Sequence, residues 1–247
     1  SFTIIGASGI GKSSAIGRAV SLITQNTIIT TENPHSKIIP TLTVQCPFDS
    51  SVKGLLLEIL RKTDEAIGST YYSNAVKSRA STTDTLIGLV STVCLNHISL
   101  LIVDEIQNVV NSKNGKNLVG ALTQLINSSG ISICMVGTPE CVPFFEQAMQ
   151  LARRSAGLTC SPMSFNETFE ETCRILFGYQ YVKNETELTP ALLHWLYEHS
   201  AGNISVLVSL LHDAQEIAIL NGTEMLNIAL LTEAYQQRLS FLHDFIE

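Results

Sequence analysis

Residues 2–14 read FTIIGASGIGKSS: a short apolar run, then Gly6, four residues, Gly11, Lys12 and Ser13, then residues able to continue as a helix. In that order they predict a buried strand, a phosphate-binding P-loop and the helix that follows it. The chemistry needs these residue types. A phosphate must be wrapped by backbone N–H groups, and only a glycine-rich turn brings them close without side-chain obstruction. Gly6, Gly9 and Gly11 supply that freedom. The helix starting near Gly11 aims its dipole and unpaired N–H groups at the anion, Lys12 adds a full positive charge, and the Ser13 hydroxyl is placed to ligate Mg2+. The run Gly6, Ala7, Ser8, Gly9, Ile10, Gly11, Lys12, Ser13 and Ser14 is therefore the candidate nucleotide cradle, with ATP and Mg2+ as the expected ligands.

A second motif lies about ninety residues downstream. Residues 100–108 read LLIVDEIQN, a continuous apolar run typical of a strand buried on both faces, ending in two carboxylates. Asp104 and Glu105 then sit at the carboxyl end of a parallel strand, the edge where open α/β sheets bind ligands. The first carboxylate suits Mg2+; the second suits polarising the water that attacks a γ-phosphate. A phosphoryl-transferring kinase has no need of Glu105, so the pair favours hydrolysis, an ATPase.

Two further stretches qualify that reading. ICMVGTPE, residues 133–140, ends another strand beside the Asp104 strand, and Thr138 is the candidate to hydrogen-bond the attacking water or the γ-phosphate. The plainer alternative is a strand end followed by a proline-started helix. LARRSAG, residues 151–157, closes a helix with Arg153 and Arg154. Cations there commonly offset the helix dipole, but this pair is also able to reach a neighbouring subunit's site. An arginine finger supplied that way is worth about a thousandfold or more in rate, which ties hydrolysis to assembly.

Alternating strand and helix signals continue to about residue 165. They comprise a strand over 38–45, helices over 51–66, 83–97, 116–127 and 140–152, and strands over 131–136 and 158–163. This order predicts a parallel sheet sandwiched by helices. From residue 166 the apolar spacing is helical throughout, so the expected division is 1–165 for an α/β nucleotide-binding core and 166–247 for a small all-α subdomain. Opening at Ser1 on the first strand, the chain reads as a piece of a longer protein. No apolar stretch has the length and purity of a membrane span. The six cysteines form no CxxC pair and lie mostly in apolar runs, as reduced core residues of a cytosolic protein do. The net charge of −7 argues against indiscriminate nucleic-acid binding while leaving room for a local basic strip.

GASGIGKSS, LLIVDEIQN, VGTPE and ARRSAG, in this order and with helices behind them, resemble the AAA+ ATPases that regulate DNA transposition. The resemblance is closest to TnsC, with TniB and MuB as more distant relatives, and it covers nearly the whole chain. It implies an ATP-bound ring or filament around double-stranded DNA in a bacterial cytoplasm. Such an oligomer takes a signal from target-selector proteins and recruits a transposase. Carried over by position, it implies Lys12 and Ser13 for phosphate and Mg2+, Asp104 and Glu105 for Mg2+ and water activation, Thr138 as sensor 1, and Arg153 or Arg154 as the finger. It also implies that the helical subdomain is a lid. One departure stands out: where such lids often carry an arginine in a GxxR pattern, Gly202-Asn203-Ile204-Ser205 has serine, so slow hydrolysis is expected.

For DNA, YYSNAVKSRAST (71–82) offers Asn74, Lys77 and Arg79 in an expected turn, and NSKNGKN (111–117) offers Lys113 and Lys116. Phosphate contacts of this kind give affinity without reading sequence; the plainer alternative for each is a solvated loop. Two rival functions stay open. One is an origin or helicase loader; the other is a scaffold that ATP only stabilises.

Overall fold

The computed structural model describes residues 1–23, 28–29, 37–78, 82–110, 112–143 and 156–239. These fall into two compact units. The first comprises 1–6 and 12–160; the second comprises 161–247 together with the loop residues 7–11.

The first unit is built on β1 (Phe2–Gly6), β2 (Ile28–Ile29), β3 (Lys37–Gln45), β4 (Ile98–Asp104), β5 (Ser132–Gly137) and β6 (Ala156–Cys160), in the spatial order β2-β3-β4-β5-β1-β6. Five strands run parallel, and the two-residue β2 pairs antiparallel to β3 at the edge. Alternation along the central strands explains their unbroken apolar sequence. Leu101, Val103, Ile133 and Met135 pack into one core with residues of α2 (Val52–Ile67), α4 (Thr83–His97) and α5 (Gly115–Ser129). Ile102, Cys134 and Val136 point the other way, against Ile16 and Val20 of α1 (Lys12–Ile23). A strand buried on both faces has no polar side to show. At about 25 cal/mol per Å2 of apolar surface removed from water, these two layers supply the main drive for the unit.

Helix ends follow local chemistry. The hydroxyls of Ser51 and Thr82 accept from the backbone N–H of Gly54 and Thr85, and so cap α2 and α4. Between them lies a short helix that the pattern did not predict, α3 (Tyr71–Lys77). Its own N-cap residue, Thr70, makes no side-chain cap; instead the Asp64 carboxylate of α2 accepts from the backbone N–H of Tyr71 and Tyr72, each at 2.9 Å. Asn74 and Lys77 are therefore on a helix, both exposed, where a turn was expected. The last strand occupies 156–160, slightly earlier than expected, and most of the helix expected over 140–152 lies outside the described residues.

The second unit packs α6 (Glu167–Phe177), α7 (Pro190–Ser200), α8 (Ile204–Leu220) and α9 (Ile228–Ala234) around Phe169, Cys173, Leu196, Leu207, Leu211 and Leu231. Side-chain caps come from Asn166, Thr189, Asn203 and Asn227. No single described helix is long and apolar enough to cross a membrane; α7 and α8 pass that test only together and are bent by 119°.

Candidate functional site

Strands β1, β5 and β4 lie side by side, with Ile5 opposite Gly137 and Val103 opposite Met135. Their carboxyl ends therefore share one edge, and Thr138, just after β5, falls between Gly6 and Asp104. The order of the strands brings together residues that the chain keeps about ninety positions apart.

Gly9 and Gly11 have φ of 78° and 86°, in the left-handed region that side chains resist. Lys12 donates from Nζ to the Gly6 carbonyl at 2.8 Å. Ser13 donates from Oγ to Asp104 Oδ2 at 2.8 Å, and Asp104 Oδ1 accepts from the backbone N–H of Glu105 at 2.8 Å. Ser13 and Asp104 thus present the hard oxygen donors that Mg2+ prefers. The Thr138 hydroxyl oxygen is buried at the same edge without a hydrogen-bond partner among the described residues, which fits a ligand atom completing this site. Glu105 is exposed and holds φ 58°, an uncommon conformation for a residue with a side chain.

Residues beyond the predicted set hold this edge in place. Gln107, in the single turn Ile106–Val109, donates from Nε2 to the Glu105 carboxylate and accepts at Oε1 from the backbone N–H of Thr138 at 3.3 Å. Asn108 donates to the Cys46 carbonyl at the end of β3, and its own carbonyl accepts from Ser50 Oγ, each at 3.0 Å. Within the second unit, Asn203 caps α8 through Oδ1 and donates from Nδ2 to the Ser8 carbonyl at 3.1 Å. Ser205 donates its backbone N–H to the Gly9 carbonyl at 3.0 Å. A Cβ on Gly9 would lie 2.9 Å from the Ser205 Cβ, so this approach requires glycine. The position expected to carry a lid arginine thus meets the loop through its backbone. The only sign of Gln107 and Asn108 in the sequence was their place two and three residues after Glu105, at the end of the LLIVDEIQN stretch.

Arg79, Arg153 and Arg154 lie outside the described residues. Lys77, Lys113 and Lys116 are exposed on the first unit; Lys116 stands in the first turn of α5. All six cysteines are free thiols, five of them buried. Burial pushes Cys94 and Cys173 up to about 12, so they stay protonated and inert. The second unit also carries an apolar groove of about 480 Å3 lined by Tyr179, Tyr181, Val208, Ile219 and Leu220.

A parallel sheet with a glycine loop after β1, an Asp-Glu pair at the end of β4 and a helical C-terminal part defines a P-loop protein of the AAA+ class. Solved structures agree with that fold. The ORC1 protein of Aeropyrum pernix in complex with DNA matches at 17% identity and TM-score 0.62, over 96% of this chain and 59% of that one. Drosophila ORC bound to DNA matches at 14% and 0.60, over 95% and 54%. Cdc6p from Pyrobaculum aerophilum matches at 12% and 0.62, over 96% and 60%. The chain thus spans between half and two thirds of the length of these structures. No curated protein matches it. A family model described as Bacterial TniB protein matches residues 1–163, and the chain belongs to the TniB family.

Proposed function

We propose that this protein is an ATP-hydrolysing, Mg2+-dependent regulator of DNA transposition that assembles as a homo-oligomer on double-stranded DNA in the bacterial cytoplasm and links target selection to transposase recruitment. The observation that carries this reading is the Ser13–Asp104 hydrogen bond with Glu105 beside it, in a chain of the TniB family. Gly6 to Ser14 would wrap the phosphates, with Lys12 as the added positive charge. Mg2+ held by Ser13 and Asp104 would neutralise charge on the transferring phosphoryl group. Glu105 would take the proton of the attacking water, Thr138 would orient it, and Arg153 or Arg154 would complete the site from a neighbouring subunit. Residues 1–165 serve as the ATPase core and 166–247 as its lid.

Charge decides where DNA is sought. Acidic residues outnumber Lys and Arg by twelve to three in residues 161–247, so that part repels phosphates. Asn74, Lys77, Arg79, Lys113 and Lys116, all in the first 160 residues, are the proposed DNA contacts. The test is ATP turnover with and without duplex DNA. Slow turnover that DNA accelerates and Glu105→Gln abolishes supports the reading, whereas ATP binding without turnover in every condition favours a scaffold. The likeness to DNA-bound ORC structures keeps an origin-type loader as the second reading. A preference for one DNA sequence over random duplex would move it ahead.

A further inference from the structure

Between Glu105 and Thr138 stands one side chain that the functional reading leaves unassigned. A backbone N–H only donates and a carboxylate only accepts, so a group joining Thr138 N–H to the Glu105 carboxylate must offer an acceptor on one side and a donor on the other. The carboxamide of Gln107 does both, and these two partners fix which way it faces. Space is kept for it as well. A Cβ on Gly137 would lie 2.9 Å from Gln107 Oε1 and 2.7 Å from Ile106 Cγ2, so any other residue at 137 would push the amide aside. Ile106 and Val109, which flank it, are fully buried and anchor the turn.

Glu105 needs such a hold. It is exposed, and its left-handed backbone persists only where the surrounding structure holds it. On the other side of Gln107, Thr138 carries the buried hydroxyl that has no partner among the described residues.

We infer that Gln107 is a positioning residue for hydrolysis: its amide fastens the Glu105 carboxylate to the backbone of the Thr138 turn, so that Glu105 is aimed only while that turn is seated. The inference rests on the hydrolytic reading above and adds a coupling to it. Whatever Thr138 grips at its hydroxyl is felt at Glu105 through one side chain. The other titratable groups near this turn are Lys12, Asp49, Asp104, Glu140 and the buried thiols Cys46 and Cys141, the two thiols being pushed up to about 12 and about 11. Neither thiol titrates near neutral pH.

Two substitutions separate positioning from mere packing. Gln107→Leu keeps the bulk and removes both hydrogen bonds. It should lower kcat about ten- to a hundredfold, the order expected for a misplaced catalytic group, with KM for ATP unchanged. Gln107→Glu sets a second carboxylate against Glu105 and should be equally slow at about pH 8. Once protonated, however, the introduced carboxyl offers O–H to Glu105 and C=O to the Thr138 N–H, so its kcat should recover towards that of wild type by about pH 6. Gln107→Leu should show no recovery. An unchanged kcat in Gln107→Leu, a rise in KM alone, or parallel pH profiles for the two variants would overturn the inference.

Hydrogen exchange at the Thr138 amide is the second readout and needs no turnover. Exchange should be slower in wild type than in Gln107→Leu; equal rates overturn the inference. If wild type hydrolyses no ATP under any condition, the ATPase reading is what fails, and the amide exchange alone then decides for or against the clamp.

Discussion

The two units of this chain record function in different ways. The α/β unit carries nearly every motif and a slight excess of basic residues, and its site consists of specific atoms at specific distances, Ser13 Oγ to Asp104 Oδ2 above all. The helical unit carries most of the negative charge and an exposed apolar groove bearing Tyr179, Tyr181 and Leu220. Phosphate chemistry demands a particular backbone, and so it leaves a motif. A protein surface demands only shape and charge, which many sequences satisfy, and so it leaves none. Nucleotide chemistry should therefore be sensitive to single atoms in the first unit and indifferent to charge in the second.

The largest expected effect tests that contrast directly. Glu105→Gln removes the proposed base and should lower ATP turnover by about a hundredfold or more while ATP still binds. Glu216→Gln, on the rim of the groove, should leave turnover unchanged; a comparable drop there would break the contrast. Next come the two cores. Leu122→Ala in the α/β unit and Leu196→Ala in the helical unit each empty a fully buried site and should cost about 2–5 kcal/mol, measured by chemical denaturation. If the units unfold independently, each substitution should move only one of two transitions.

Much of the candidate nucleotide site was legible because its signals are local. The P-loop, the apolar run into Asp104 and the turn at Thr138 each announce themselves within ten residues. α3 was not legible, since its cap is the Asp64 carboxylate of the preceding helix and Thr70 provides none of its own. Gln107 escaped for a related reason. Carboxylates and hydroxyls carry chemistry wherever they stand, whereas the Gln107 amide becomes important only once β5 brings Thr138 beside it. Asn203 reads as a helix cap; its second bond, to the Ser8 carbonyl, joins positions far apart in the chain.

Smaller effects sharpen the comparison. Cys94 and Cys173, one in each core, are both raised from 9.0 to about 12 by burial. Between those values the unfolded chain releases protons that the folded chain keeps, so alkali favours unfolding. The thiols' contribution should be constant from neutral pH to about pH 9, and stability should fall above it in both units, as followed by urea midpoints across pH. Least of all, Lys77→Ala should weaken DNA binding severalfold and reduce the salt slope by about 0.9 for each phosphate the lysine neutralises, without changing sequence preference. An unchanged slope would remove Lys77 from the DNA surface.

Electron microscopy with duplex DNA, with and without a non-hydrolysable ATP analogue, tests the central claim most directly, because one experiment joins nucleotide, assembly and DNA. The account predicts rings or filaments threaded by DNA only when the analogue is present. Monomers that ignore DNA in both conditions would contradict it.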